Sequence, residues 1–179
     1  EMVDLAKKQG AVGINVAGMC CTGNEVLMRH GVPVAGNVLQ QELAVITGAV
    51  EAMIVDVQCI FPALADLSAC FHTKFISTSP KAKFPGATHM EFHEETAYDT
   101  AKAIVRAAVE NYPKRNAAKV NIPDEKTECM VGFSVEAIVA ALGGSLDPLL
   151  DAVKGGAIQG LAGVVGCNNP KVQHDYGHV

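Results

Sequence analysis

Cysteines follow several apolar, strand-like runs of this sequence, and they are the residues best suited to chemistry. Four of the six cysteines stand shortly after the ends of three such runs: Cys20, Cys21, Cys59 and Cys167. In parallel sheets, loops beyond the carboxyl ends of several strands converge, so thiolates carried there can share one metal centre. Soft sulfur ligands favour iron-sulfur clusters, zinc or copper over hard cations. The pattern therefore indicates a shared metal site.

The same pattern has a plainer interpretation, in which each cysteine is a small buried residue of the core. Three repeats of strand, turn and cysteine favour the metal site but leave the packing role open. Cys70 follows a predicted helix and Cys129 opens a predicted strand, so both are assigned to packing. No CxxC or zinc-finger spacing occurs, so a metal site has to be assembled from cysteines far apart in the sequence.

The histidines and glycines give weaker signals. His30 ends a predicted helix, and His174 and His178 lie in a polar tail, which favours surface or capping roles. His89 and His93 are four residues apart, but a Pro-Gly loop precedes them, and no metal is predicted there. The sequence has no phosphate-binding GxxxxGK[ST] motif, no GxSxG elbow and no dinucleotide fingerprint. Nucleotide binding and serine hydrolysis therefore have no support.

Composition and charge limit the partners. The chain has 179 residues, of which 49% are hydrophobic and 18% charged, and its net charge is −5. Without a cluster of Lys or Arg it offers no cationic surface to nucleic acid or a membrane. No apolar run reaches the roughly 20 residues of a membrane span, and no signal peptide opens the chain, which predicts a cytoplasmic protein. Both ends look cut, which predicts a fragment of a longer protein.

Alternating apolar runs and amphipathic stretches predict an α/β fold with a Rossmann-like parallel sheet. The predicted strands of this first unit are residues 11–17, 33–38, 52–57 and 74–78. The predicted helices are residues 22–31, with Thr22 and Glu25 as a capping box, then 40–49, 62–69 and 94–111. Gly31 is expected to end the first of them.

A polar stretch over residues 113–128 predicts a connection to a second unit. That unit is expected to contain a strand at 129–133, helices from Ser134 and over 148–154, and a strand at 161–166. The predicted domains are therefore a Rossmann-like domain, 1–120, and the beginning of a second, incomplete α/β domain, 121–179.

Several phrases of the sequence, taken together and in order, resemble the nickel-containing carbon monoxide dehydrogenases over essentially the whole chain. They are Ala17-Gly18-Met19-Cys20-Cys21-Thr22-Gly23-Asn24-Glu25, Gln41-Glu42-Leu43-Ala44, Val55-Asp56-Val57-Gln58-Cys59-Ile60, Cys70-Phe71-His72-Thr73-Lys74 and Gly166-Cys167-Asn168-Asn169. One such phrase is weak evidence, whereas five in the same order are strong.

The resemblance implies oxidation of CO with water to CO2, two protons and two electrons, at a cluster in which nickel is joined to an iron-sulfur cage with a pendant iron. It implies that Cys21 binds the pendant iron, with Cys20 as an alternative ligand or close neighbour. It also implies that Cys59 and Cys167 each bind an iron of the cage. These are the positions that follow the predicted strands.

The resemblance further implies a homodimer, a ferredoxin-like electron acceptor and [4Fe-4S] clusters carried by a preceding N-terminal region. The remaining ligands and the acid-base residues are expected outside this chain, so the fragment alone is expected to be inactive. Two other interpretations stay open. One is a hybrid-cluster protein resembling hydroxylamine reductase, and the other is a non-catalytic α/β domain whose cysteines are all core residues.

Overall fold

A computed structural model describes residues 1–57, 61–125 and 134–163 of the chain. Its α-helices are α1 (Met2–Lys8), α2 (Cys20–Glu25), α3 (Gln41–Ile46), α4 (Leu64–Ser68), α5 (Ala97–Asn111), α6 (Val135–Ala141) and α7 (Asp147–Lys154). Its strands are β1 (Gly18–Met19), β2 (Val34–Gly36), β3 (Ala52–Val55), β4 (Lys74–Ser77) and β5 (Thr88–His89). None of the helices in these ranges has the length and apolarity that a membrane crossing requires.

All strand pairs within these ranges are parallel, and they form two small sheets. β1 pairs with β2, and β3, β4 and β5 form a second sheet in that order. Parallel neighbours need crossover connections, and α3 and α4 lie in the connections that lead to β3 and β4. The predicted α/β class with a Rossmann-like parallel sheet is therefore confirmed.

The core lies against one face of the β3-β4-β5 sheet. It consists of buried residues from α3, β3, α4, β4 and the turn after β4: Val45, Val55, Leu64, Phe75 and Ala82. Phe84 packs edge-on against Phe75, with ring centroids 5.8 Å apart, a geometry that aromatic pairs prefer. On β4, Ile76 is also fully buried but points to the opposite face, because side chains alternate along a strand.

The first strand and helix differ from prediction. Residues 11–17 are irregular, with Val12 96% exposed, and strand pairing begins only at Gly18, whose N–H donates to the carbonyl of Pro33. The apolar run thus has no strand beside it in the described ranges. α2 begins at Cys20 with Met19 as its N-cap, so the predicted capping box at Thr22 is wrong.

Other boundaries follow the sequence more closely. Gly31 ends the turn after α2 with φ of +75°, as its lack of a side chain predicts. β5 was not predicted, because its two residues follow a Pro-Gly turn and carry no apolar alternation. Backbone pairing with β4 holds it in the sheet, with Ser77 opposite His89.

A partly buried polar network fixes the amino end of the larger sheet. The Glu51 carboxylate, just before β3, accepts hydrogen bonds from Arg115 Nε at 2.8 Å and lies 3.1 Å from His72 Nε2. Asn111, at the end of α5, donates to the carbonyls of Glu51 at 2.9 Å and His72 at 2.5 Å. The network ties α5 to the starts of β3 and β4.

The second predicted unit is described only over residues 134–163. Ser134 caps α6 by accepting from the N–H of Ala137, as predicted. Hydrogen bonds from its own backbone N–H and from the Ser134 hydroxyl hold the pKa of Glu136 below its usual range. No residue of 134–163 is buried. The strand predicted at 129–133 lies outside the described residues, as do residues 164–166 of the strand predicted at 161–166, whose described residues 161–163 are irregular. The division into domains 1–120 and 121–179 stays a prediction.

Replacing Asn111 tests the polar network. Asn111→Ala removes a donor from the His72 carbonyl and one of two donors from the Glu51 carbonyl, which also accepts from the N–H of Lys74. We expect the free energy of unfolding to fall by about 1–3 kcal/mol. Asn121→Ala removes an exposed amide of the same type and should change the free energy of unfolding by less than about 0.5 kcal/mol. Equal values for the two variants in chemical denaturation would contradict this role.

Candidate functional site

The turn that follows β1 carries the first two candidate cysteines. Cys20 comes directly after the strand and has φ of +57°. Among the described residues it is the only one besides glycine with a positive φ. A side chain makes this left-handed conformation costly, by about 1–3 kcal/mol, so it persists only where surrounding contacts impose it. Such positions are enriched at functional sites.

Two glycines impose the shape of this turn. A Cβ added to Gly18 would overlap the backbone of Gly23, and one added to Gly23 would lie 2.5 Å from the carbonyl carbon of Gly18. The two backbones therefore approach so closely that neither position accepts a side chain without a shift. The contact turns the chain back at the end of β1 and starts α2 at Cys20.

The two adjacent cysteines have opposite environments. Cys20 is 9% exposed, and its Sγ accepts a hydrogen bond at 3.4 Å from the side-chain amide of Gln41. Gln41 is itself only 3% exposed and opens α3. Cys21 is exposed. The turn thus directs one sulfur into the protein and leaves the other on the surface of the described chain.

The 3-10 turn Val38–Gln40, which leads directly into α3, is capped at its start. The side chain of Asn37 accepts from the N–H of Leu39 at 3.1 Å, and Gln40 Oε1 accepts from the N–H of Asn37 at 2.9 Å. This reciprocal arrangement fixes the start of the 3-10 turn, and α3 with Gln41 follows without a side-chain cap of its own.

The remaining predicted ligands lie elsewhere. Cys59 and Cys167 are outside the described residues, as is Cys129, so their predicted convergence with Cys21 stays a prediction. Cys70 is exposed, so the packing role predicted for it is wrong within the described chain. Across residues 1–57, 61–125 and 134–163, no three His, Cys, Asp or Glu side chains are grouped to hold a metal ion.

A hydrogen-bonded chain at the carboxyl end of β4 was not anticipated. Ser77 Oγ lies 2.7 Å from His89 Nδ1, and Glu91 lies 3.4 Å from His89 Nε2 and 3.9 Å from His93 Nε2. The order resembles a nucleophile, base and acid, but Ser77 is fully buried and cannot reach a substrate. The hydrogen bond between the Ser77 and His89 side chains links β4 to β5. Sequence reasoning missed it because β5 was not predicted.

Comparisons with known proteins find a family and relatives that match the whole chain. The model of the Prismane/CO dehydrogenase family matches residues 1–179. Carbon monoxide dehydrogenase 1 of Methanosarcina mazei is 74% identical over 179 residues, covering 100% of this chain. The chain spans 28% of the length of that relative.

Solved structures agree with the fold. A nickel-free carbon monoxide dehydrogenase from Thermococcus sp. AM4 superposes with a TM-score of 0.83 at 62% identity, covering 98% of this chain and 28% of that one. An acetyl-CoA synthase/carbon monoxide dehydrogenase with NiZn[Fe4S4] and NiNi[Fe4S4] clusters superposes with a TM-score of 0.80 at 42% identity. This superposition covers 98% of this chain and 27% of the solved chain.

Adding one methyl group tests the glycine contact. Gly23→Ala places a Cβ against the backbone of Gly18, and we expect the free energy of unfolding to fall by about 1–3 kcal/mol. Gly13→Ala is the matched control, since its Cβ meets nothing within 4 Å and its φ is not in the left-handed region. Chemical denaturation should show little change for the control. A neutral Gly23→Ala would contradict the close approach.

Proposed function

The chain belongs to the Prismane/CO dehydrogenase family, and on that premise we propose that the longer protein containing it oxidises carbon monoxide with water to CO2, two protons and two electrons. Relatives named carbon monoxide dehydrogenase support the activity, because that of Methanosarcina mazei matches every residue of the chain at 74% identity. This chain is proposed to contribute one part of the active site.

We propose that Cys21, Cys59 and Cys167 bind a nickel-iron-sulfur cluster, with Cys20 as an alternative ligand or close neighbour. The observation that carries this proposal is the turn after β1, which leaves the Cys21 thiol exposed beyond the carboxyl end of a parallel strand. That is where ligands bind in open α/β sheets. The donor set also fits, since thiolates are the protein ligands that iron-sulfur clusters take.

When bound, such a cluster supplies an electron-rich metal for CO, a Lewis acid that acidifies water, and storage for two electrons. The chain's own residues do the positioning. The contact between Gly18 and Gly23 sets the course of the turn, and Gln41 holds the Cys20 sulfur inside. Cys21 is left to face the cluster.

The other ligands and the acid-base residues are proposed to lie in parts of the protein beyond this chain, as are the [4Fe-4S] clusters that carry electrons away. A ferredoxin-like protein is the proposed acceptor, and the intact protein is proposed to be a cytoplasmic homodimer. A chain with three or four of the thiolates has too few ligands for the cluster. The isolated 179 residues are therefore proposed to be inactive.

Two rival functions make different predictions for the intact protein. A hybrid-cluster protein would contain iron and sulfide without nickel, whereas a non-catalytic α/β domain would be colourless after anaerobic purification. The high identity to proteins named carbon monoxide dehydrogenase favours the first proposal. The nickel content of the intact protein separates carbon monoxide dehydrogenase from both rival functions.

Single cysteine replacements in the intact enzyme test the ligand assignment. Cys21→Ala, Cys59→Ala and Cys167→Ala should each abolish CO-dependent dye reduction and alter the spectrum of the active-site cluster, because no other side chain replaces a metal thiolate. The signals of the electron-transfer clusters should stay. Cys20→Ala should lower activity or nickel content without removing the cage.

Cys70→Ala is the matched control, because this thiol is exposed and follows α4 rather than a strand. It should keep substantial activity, and so should Cys129→Ala, at a cost of at most about 1–3 kcal/mol in stability. Normal activity and metal content in Cys59→Ala or Cys167→Ala would contradict the assignment of these cysteines as metal ligands.

A further inference from the structure

We propose that Gln41 is a positioning residue that selects between the two adjacent cysteines, by holding the Cys20 sulfur inside the protein so that Cys21 alone is presented to the cluster. The inference rests on the proposed function, in which Cys21 is a metal ligand. It assigns a role to a side chain that touches neither substrate nor metal.

The selection is needed because Cys20 and Cys21 are neighbours on one turn. Two thiols one residue apart lie close enough for either to reach the same metal after a modest backbone rotation. Cys20 already occupies the left-handed region, at φ of +57°. Relaxing that conformation would release backbone strain and change the direction of its side chain. Something must therefore hold Cys20 where it is.

Gln41 is placed to do this. Its side-chain amide donates to Cys20 Sγ at 3.4 Å, and both residues are buried, at 3% and 9% exposure. Moving Cys20 outward would break this hydrogen bond, so the movement is penalised. The donated hydrogen also competes with a metal for electron density on the sulfur.

A purely structural role for Gln41 predicts something different. Loss of a structural hydrogen bond would loosen the turn as a whole, and both cysteines would become more reactive together. Loss of a selecting contact would instead raise the reactivity of the Cys20 thiol relative to that of the Cys21 thiol. The ratio of the two thiol reactivities therefore separates the two roles, whatever happens to overall stability.

The test uses the full-length protein, stripped of metal by a chelator, and measures iodoacetamide labelling of Cys20 and Cys21 by fragment-ion mass spectrometry. In Gln41→Met, which keeps the volume but removes the donor, the rate ratio of Cys20 to Cys21 should rise about 2- to 10-fold, the change expected for one lost hydrogen bond. Val45→Ala, in the same helix, lowers stability through the core and should leave the ratio unchanged.

If Gln41→Met does not fold, Gln41→Asn gives the same test, because its shorter side chain withdraws the amide from the sulfur. An unchanged ratio in the variant that folds overturns the proposal. A ratio that rises equally in Val45→Ala also overturns it, in favour of the structural role.

Cys21→Ala in the metal-loaded enzyme separates this failure from failure of the proposed function. If Cys21→Ala keeps normal iron content and spectrum, Cys21 is not a ligand and the assignment of the site fails, whatever Gln41 does. If Cys21→Ala loses the cluster signal while the labelling ratio does not respond to Gln41→Met, only the role of Gln41 is wrong.

Discussion

The close approach of the Gly18 and Gly23 backbones is the constraint on which the candidate site depends. It folds the chain back at the end of β1, starts α2 within one residue and places Cys20 in a left-handed conformation. A turn of this kind gives two adjacent side chains opposite directions. One cysteine is consequently buried against Gln41, while the next is exposed where a parallel strand ends.

The two ends of the larger sheet have different roles. At the amino end, Glu51, His72, Asn111 and Arg115 form a hydrogen-bonded network that fixes α5 against the starts of β3 and β4. At the carboxyl end, β3 runs into the segment that carries Cys59. A rigid amino end leaves the loops at the other end available for chemistry, which is how open parallel sheets support their sites.

Sequence patterns predicted the elements that are buried and long. β3, β4, α5 and the glycine that ends the turn at Gly31 were predicted because apolar periodicity and glycine conformation act locally. β5 and the irregular course of residues 11–17 were not, because strand pairing between distant segments decides them. The contact from Gln41 to Cys20 was equally invisible, since it joins residues 21 apart through tertiary packing.

The central claim is that the turn after β1 presents Cys21 to a metal cluster. Anomalous diffraction at the iron edge, from crystals of the intact protein, tests it most directly. The account predicts an iron peak at bonding distance from Cys21 Sγ, further iron peaks beside Cys59 and Cys167, and a Cys20 sulfur still facing Gln41. An iron peak beside Cys20 with none beside Cys21, or no iron near this turn, would contradict it.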